Sequence, residues 1–270
     1  MHSTRHRRQQ KMQWLLYLTN LNRKIRLYLR RNAVIKGILF DKDGTLLKFD
    51  ELWNEATKNV VPGFLNEIGI DADKKNVLKA EAAIGKSIAV MTYCDMTNAV
   101  LKTFGINADE DRLHEYSKQL EKLYFNEVTK STANIVPTAN LPKLFNWLSD
   151  KNIIVGLATA DTKQTAIKCL DSLGIMPFFS YLGSDDGRLR PKPQIDIIED
   201  FKSKFGINSD EIMVVGDTNT DMQFAKNGGA LAVGVLSGVD GEEELNKNAD
   251  LILDDVSQLI YNWKKIDVLR

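Results

Sequence analysis

Cysteine is scarce in this chain, and its scarcity excludes two classes of protein. The 270 residues include only two cysteines, Cys94 and Cys169. Two thiols are too few for a disulfide framework or a cysteine-based zinc cluster, and they suit a reducing compartment. We therefore expect both to be small buried side chains, and we expect the protein to be cytoplasmic.

Long apolar runs are also absent. No stretch approaches the roughly 20 consecutive apolar residues that a membrane-spanning helix needs. Acidic residues are missing from one region, because residues 1–36 contain ten Lys or Arg and no Asp or Glu. The rest of the chain carries 26 basic and 36 acidic side chains. Its negative charge argues against nucleic-acid binding by the main domain.

The basic N-terminal extension, residues 1–33, contains a helical pattern. Apolar residues recur there every three or four positions on one helical face, namely Trp14, Leu18, Leu21, Ile25 and Tyr28. Three interpretations stay open for this face. It packs on the body or on a second copy, in a monomer or a homodimer; it lies on an anionic membrane surface; or it belongs to an organellar targeting peptide. Packing is favoured, because apolar stripes usually face protein.

The remaining chain alternates short apolar strands with helices, apart from one helical block. Strands are predicted at 34–40, 153–158, 178–182, 212–215 and 231–235. Such alternation predicts an α/β fold whose parallel sheet is covered on both faces. Residues 51–133 are mostly helical, with helical spacing at 73–84, 87–104 and 109–127. We interpret this block as an inserted second domain.

Polar residues follow three of the predicted strands at the point where each strand ends. Asp41 and Asp43 follow the first strand, Thr159 follows the second, and Asp217 and Asp221 follow the strand at 212–215. In an open parallel sheet, ligands bind beyond the carboxyl ends of the strands. We therefore expect these side chains to share one edge of the sheet.

A cluster of four aspartates requires a cation, because like charges in one site raise each other's pKa. Mg²⁺ suits such a cluster, since it prefers oxygen ligands. Lys192, between Pro191 and Pro193 just before a predicted helix, supplies a second positive charge. Mg²⁺ and Lys192 together would neutralise a phosphate, and the hydroxyl of Thr159 would donate a hydrogen bond to it.

These residues form a recognisable set of motifs. DKDGT at 41–45, the strand that ends in Thr159, the later Lys192, and GDTNTD at 216–221 resemble, in order, the four motifs of the haloacid dehalogenase (HAD) superfamily. The resemblance covers residues 34 to about 262 and is strongest to the phosphoglycolate-phosphatase-like branch. It implies a Rossmann-like core formed by residues 34–50 and 134–270, with residues 51–133 as an α-helical cap domain.

The resemblance also implies a role for each motif residue. Asp41 is the nucleophile that forms an aspartyl-phosphate, and Asp43 is first a general acid and then a base. The phosphate-binding residues are Asp41, Thr159, Ala160 and Lys192, although the family often has Asn or Ser at the position of Ala160. Mg²⁺ is held by Asp41, the backbone carbonyl of Asp43, Asp217 and Asp221.

Other residues receive less specific interpretations. The stretch AEAAIGKS at 80–87 ends like a phosphate-binding loop but lacks that loop's first glycine and its preceding strand. We interpret it as a turn between cap helices whose Lys86 and Ser87 face the substrate and contribute to specificity. Lys42 is expected to point away from the metal, and Trp53 is expected to belong to the core.

The sequence therefore predicts a Mg²⁺-dependent phosphatase for a small phosphorylated metabolite, such as phosphoglycolate or a sugar phosphate. Asp43 argues against a dehalogenase, which normally lacks the second aspartate and needs no magnesium. Two alternatives stay open. A phosphomutase resembling β-phosphoglucomutase would share every core residue, and a binding or scaffold module of the same fold would be tethered by its basic N-terminal helix.

Overall fold

The computed structural model of the protein describes residues 34–85, 88, 90–130, 135–184 and 187–269. Predictions for the extension at 1–33, and for Lys86 and Ser87, lie outside the described residues. No helix within these ranges is long and apolar enough to cross a membrane.

Six parallel strands form one sheet in the order β3-β2-β1-β4-β5-β6. The strands are β1 (Gly37–Phe40), β2 (Ile154–Ala158), β3 (Phe179–Gly183), β4 (Ile212–Gly216), β5 (Leu231–Val235) and β6 (Leu251–Leu253). Phe40 pairs with Leu157 on one side and with Val215 on the other, so the carboxyl ends of β2, β1 and β4 are neighbours. The predicted α/β class with a parallel sheet is confirmed.

Among the described residues, five helices lie between β1 and β2, and the first four of these form one block. These four are α1 (Phe49–Glu67), α2 (Lys74–Ile84), α3 (Tyr93–Thr103) and α4 (Glu110–Lys130). We call them the helical segment. Their apolar faces share one buried cluster that includes Phe64, Val100, Leu120 and Tyr124, so burial of these faces stabilises the segment.

Six further helices surround the sheet: α5 (Leu141–Asp150), α6 (Lys163–Ser172), α7 (Asp196–Phe205), α8 (Asn219–Gly228), α9 (Glu242–Leu245) and α10 (Leu259–Val268). One sheet face packs on a core that includes Phe145, and the other packs on a core that includes Phe201. Gly37 and Gly156 let α7 approach closely, because an added Cβ would lie 2.6 Å and 2.9 Å, respectively, from the Phe201 ring.

Three local predictions were wrong. The first strand begins at Gly37 rather than at residue 34, and Val34 is exposed. Cys94 is exposed, although Cys169 is buried as expected. The helix predicted to start at residue 87 begins at Tyr93, because Thr92 caps it. The Thr92 hydroxyl accepts a hydrogen bond from the backbone N–H of Asp95, whose carboxylate accepts one from the Thr92 N–H, and this reciprocal cap marks a helix start.

Candidate active site

Three carboxylates meet where β1 and β4 end. The N–H of Asp41 donates to the carbonyl of Val215 at 2.8 Å, which holds Asp41 against the end of β4. Asp217 directly follows that strand. Asp41, Asp217 and Asp221 are all buried, and each offers a carboxylate oxygen within 4.8 Å of the others.

A capping box at the start of α8 positions Asp221. The Thr218 hydroxyl accepts from the N–H of Asp221 at 3.3 Å. In return, Asp221 Oδ2 accepts from the Thr218 N–H at 3.1 Å and from its hydroxyl at 2.6 Å. The cap uses Oδ2 and leaves Oδ1 directed to other partners, so one aspartate both starts a helix and serves the site.

Lys192 bridges two of the three carboxylates. Its ammonium donates to Asp41 Oδ1 and to Asp221 Oδ1, both at 2.6 Å. Burial opposes the charge of Lys192, but Asp221 and Asp41 outweigh burial and raise the pKa of its ammonium above the ordinary value. Lys192 therefore stays protonated at neutral pH and neutralises part of the cluster.

Lys192 does not balance all of the carboxylates, and ionising the remaining ones in a buried site costs free energy. Burial raises the pKa of Asp41 to about 7; Lys192 opposes this rise, and Asp221 and Asp43 add to it. Burial, with the charges of Asp41 and Asp221, also raises the pKa of Asp217 well above its usual range. Three carboxylates against one ammonium leave room for a further cation, and an all-oxygen donor set suits Mg²⁺. The residues therefore fit the metal that the sequence predicts.

The loops after β1 and β5 enclose the carboxylate of Asp217. The Thr45 hydroxyl donates to Asp217 Oδ1 at 2.9 Å, and the Val239 N–H donates to Oδ2 at 2.9 Å. Gly44, which has a φ of 86°, and Gly238 approach this carboxylate so closely that an added Cβ on either would overlap it. The orientation of Asp217 therefore depends on two positions without side chains.

The carboxylate of Asp43 has different partners. Lys42 Nζ lies 2.7 Å from Asp43 Oδ1 and 2.6 Å from Oδ2, and the Trp53 indole N–H donates to Oδ1 at 2.5 Å. Lys42 is wholly buried, and its ammonium lies 5.1 Å from the centroid of the Trp53 ring. Lys42 was expected only to point away from the metal, and Trp53 only to fill the core. Both contact the predicted acid–base residue.

Asp161 completes this second group. Its Oδ2 lies 3.2 Å from Lys42 Nζ. Its Oδ1 accepts from the Thr162 N–H at 2.7 Å and from the Tyr93 hydroxyl at 3.1 Å. Burial raises the pKa of Asp161, and Lys42 opposes that rise. Sequence reasoning assigned no role to Asp161 or Tyr93, although Asp161 follows Thr159 by only two residues.

Thr159 and Ala160 line a narrow crevice between the helical segment and the sheet edge. The crevice has a volume of about 20 Å³, and Asp43, Trp53 and Tyr93 also line it. The Thr159 hydroxyl oxygen accepts from the N–H of Asp161 at 3.1 Å, which leaves its proton available for donation. Ala160 presents only a methyl side chain and its backbone.

A wider groove adjoins this crevice. It has a volume of about 410 Å³, and Tyr93 lines both cavities. His114, Lys118 and Lys163 contribute to its walls. The groove is therefore lined by two ammonium groups, an imidazole and the carboxylate of Glu121 beside the crevice.

Comparison with known proteins agrees with these motifs. The family model described as haloacid dehalogenase-like hydrolase matches residues 35–229, well over half of the chain. Among curated proteins, the phosphoglycolate phosphatase of Salmonella typhi is 26% identical over 238 residues, which cover 84% of this chain and 91% of that protein.

Solved structures share the fold. A hydrolase from Pseudomonas syringae is 22% identical, with a TM-score of 0.67, and the match covers 86% of this chain and 99% of that chain. A β-phosphoglucomutase from Clostridium difficile is 20% identical, with a TM-score of 0.67, and covers 87% of this chain and 97% of its own. At these identities, the likeness concerns the fold alone.

Proposed function

Because this chain belongs to the haloacid dehalogenase-like hydrolase family, we propose that it is a Mg²⁺-dependent phosphatase that acts on a small phosphorylated metabolite. One observation carries the proposal: Asp41, Asp217 and Asp221 converge within 4.8 Å, and Lys192 contacts the first and the last of them. This arrangement supports the proposed roles of Asp41 as nucleophile, of the carboxylates as metal ligands and of Lys192 as the phosphate-binding cation.

In this proposal, the reaction has two steps. A carboxylate oxygen of Asp41 attacks phosphorus, and the bond from phosphorus to the ester oxygen breaks as Asp43 donates a proton to that oxygen. Asp43 then removes a proton from a water molecule, which attacks the phosphorus of the aspartyl-phosphate. The bond from phosphorus to the Asp41 oxygen breaks, so inorganic phosphate leaves and the Asp41 carboxylate is regenerated. The Lys192 ammonium and the Thr159 hydroxyl stabilise the negative charge on the phosphoryl oxygens.

Mg²⁺ would be held by Asp41, the backbone carbonyl of Asp43, Asp217 and Asp221. When bound, it would supply positive charge beside the phosphoryl group. The donor set supports this assignment, because the three buried carboxylates face a single ammonium. Ala160 would contribute its backbone to phosphate binding.

We further propose that the helical segment is a cap that limits the size of the substrate. Trp53 on α1 and Tyr93 on α3 both reach residues at the sheet edge. These contacts place the helical segment directly over the sheet edge that carries Asp43 and Asp161, so a substrate has to reach that edge beneath α1 and α3. The groove that adjoins the crevice has Lys118 and Lys163 in its walls against one carboxylate, Glu121, and this excess of positive charge favours a small leaving group that carries negative charge, as in phosphoglycolate.

The test is phosphate release from a panel of small phosphoesters that includes phosphoglycolate and hexose phosphates. We expect release with Mg²⁺, its loss with excess chelator, and its recovery when Mg²⁺ is restored. Asp41→Asn should lower turnover at least about 10³-fold, because the amide is a poor nucleophile. Asp150→Asn, which changes an exposed aspartate at the end of α5, is the matched control and should leave turnover unchanged.

Substantial activity of Asp41→Asn would contradict the nucleophile, and activity that survives chelation would contradict the metal. Isomerisation of a hexose phosphate in the same panel would identify a phosphomutase instead. Cytoplasmic placement, the oligomeric state and the contribution of Lys86 and Ser87 stay predictions.

A further inference from the structure

We propose that Lys42 and Trp53 are positioning residues that hold the Asp43 carboxylate for proton transfer to the leaving group, and that Asp161 holds Lys42. The proposal rests on the proposed function, since it assumes that Asp43 protonates the ester oxygen. It assigns roles to side chains outside the nucleophile, the phosphate-binding residues and the metal ligands.

The burial of Lys42 is the first observation. An ammonium with no exposed surface loses its hydration, so it persists only beside compensating charges. Asp43 and Asp161 provide those charges, at 2.6 Å and 3.2 Å from Nζ. A buried ion pair is a weak source of stability, because an apolar side chain of similar size often serves as well. Stability alone therefore gives little reason for a lysine at this position.

The geometry of Asp43 is the second observation. The χ2 torsion of aspartate, which sets the plane of the carboxylate, normally has a broad distribution. Here, Oδ1 accepts from the Trp53 indole and from Lys42, and Oδ2 also contacts Lys42. Contacts to both oxygens fix the plane of the carboxylate, and Oδ2, which Trp53 does not contact, keeps a lone-pair direction for the proton that Asp43 transfers. Because a misplacement of about 1 Å can cost roughly 10²-fold in rate, fixing that plane bears directly on proton transfer.

The origin of the contacts is the third observation. Trp53 belongs to α1 of the helical segment, whereas Lys42 follows β1 of the sheet. Asp161 is anchored from both bodies, because Tyr93 of α3 and the backbone of Thr162 donate to its Oδ1. This leaves Oδ2 facing Lys42. Asp43 therefore reaches the observed orientation only when the helical segment is seated on the sheet edge.

The test compares two substrates that differ in their need for an acid. Release of p-nitrophenolate needs little protonation, whereas release of an alkoxide from an alkyl phosphate depends on it. The quantity to compare is kcat/KM, because it includes only steps up to the first irreversible one and excludes the later hydrolysis of the aspartyl-phosphate. We expect Trp53→Phe and Lys42→Met to lower kcat/KM for the alkyl phosphate about 10- to 100-fold, and for p-nitrophenyl phosphate less than about 3-fold.

Two variants are compared, so that the test still gives a result if one of them does not fold. Lys42→Met leaves two buried carboxylates without their cation, whereas Trp53→Phe removes only an N–H and keeps the charge balance. Trp147→Phe is the matched control. Trp147 packs against Trp263 beside a core cluster that does not include Trp53, and its variant should lower neither value.

The outcomes separate this inference from the proposed function. Equal losses of kcat/KM for both substrates would show that these side chains only maintain the structure of the site, and would overturn the positioning role. Unchanged kcat/KM for the alkyl phosphate in Trp53→Phe would also overturn it. Failure of the unmodified enzyme to release phosphate from either substrate would instead contradict the proposed function.

Discussion

At the scale of single residues, two glycines determine the orientation of a proposed metal ligand. Gly238 has no side chain to occupy the space that the Asp217 carboxylate fills. We predict that Gly238→Ala displaces this carboxylate, raises the apparent dissociation constant for Mg²⁺ about 10- to 100-fold, and lowers turnover by a similar factor. Titration of phosphatase activity against Mg²⁺ concentration measures both effects.

The same loop supplies a matched control. Gly241 has a φ of −81°, which other residues adopt readily, and an added Cβ there would meet nothing within 4 Å. Gly241→Ala should therefore leave the Mg²⁺ titration unchanged. If Gly238→Ala titrates like the unmodified enzyme, the close contact with Asp217 does not control metal binding.

The motif residues could be predicted singly, but their partners could not. Asp41, Asp217 and Lys192 stand at recognisable points after or between apolar strands, so local sequence predicted that they would meet. The contact between Trp53 and Asp43 depends on how α1 is seated on the sheet edge, and no spacing in the sequence specifies that seating. Trp53 lies on an apolar helical face, as an ordinary core residue does, and nothing in the sequence marks its N–H as a donor to Asp43.

At the scale of elements, a salt bridge links the entry of β1 to the entry of β4. Lys36 Nζ lies 2.6 Å from Glu211 Oε1, and the Lys36 N–H donates to the carbonyl of Glu211 at 2.9 Å. The hydrogen bond from Lys36, followed by that from the Asn208 backbone, lowers the pKa of Glu211 below its ordinary value of 4.5. The two central strands therefore begin at an ionised pair.

This pair predicts a pH-dependent stability. A carboxyl whose pKa is lowered by folding adds stability above its unfolded pKa and loses it as the pH falls through the folded pKa. Because Lys36 is about half exposed, at 55%, Lys36→Met should lower the free energy of unfolding at pH 7 by at most about 1 kcal/mol. The difference should shrink as the pH falls below 4.5. Urea unfolding at pH 7 and pH 4 measures it.

Lys130→Met is the control for that series, since Lys130 is largely exposed and lies 3.7 Å from its partner Glu127. We expect it to leave the free energy of unfolding unchanged at both pH values. A Lys36→Met difference that is the same at pH 7 and pH 4 would show that the ionised form of Glu211 is not its source.

The prediction of elements succeeded where the hydrophobic pattern was uninterrupted. The strands at 154–158, 179–183, 212–216 and 231–235 lie within one residue of their predicted positions at either end, because short apolar runs in a buried parallel sheet have few alternatives. Helix α1 was not separated from the generally helical prediction for 51–133. It contains Pro62, followed by Gly63, and both residues are poor signals for a helix interior. Packing against α4 outweighs them.

At the scale of the whole molecule, the proposed site opposes the stability of the fold. Asp41, Asp217 and Asp221 are buried around the Lys192 ammonium at the edge of the sheet, and burial and mutual repulsion make their ionised forms costly, as the raised pKa values of Asp41 and Asp217 indicate. A cation that binds only the folded state would relieve this repulsion. The fold and the proposed cofactor are thus linked through one cluster.

This linkage predicts a metal-dependent melting temperature. At a Mg²⁺ concentration about 100 times the dissociation constant, binding should stabilise the folded state by roughly 2.7 kcal/mol. In a chain of this size, that corresponds to a rise in Tm of roughly 5 to 10 °C. Differential scanning calorimetry with Mg²⁺ and with chelator measures the shift. Asp150→Asn should reproduce the shift of the unmodified protein.

Replacement of one ligand should separate stability from metal binding. Asp217→Asn removes a carboxyl whose raised pKa lowers the stability of the fold at neutral pH. The Thr45 hydroxyl and the Val239 N–H keep partners, because the hydroxyl can also accept a hydrogen bond. We predict that its metal-free Tm rises by about 2 to 4 °C, equivalent to roughly 1 kcal/mol, and that its response to Mg²⁺ is lost. If this variant is more stable than the unmodified protein without metal but inactive with Mg²⁺, the Asp217 carboxylate lowers the stability of the fold and is required for activity. A full Mg²⁺ response in Asp217→Asn would remove Asp217 from the proposed metal site.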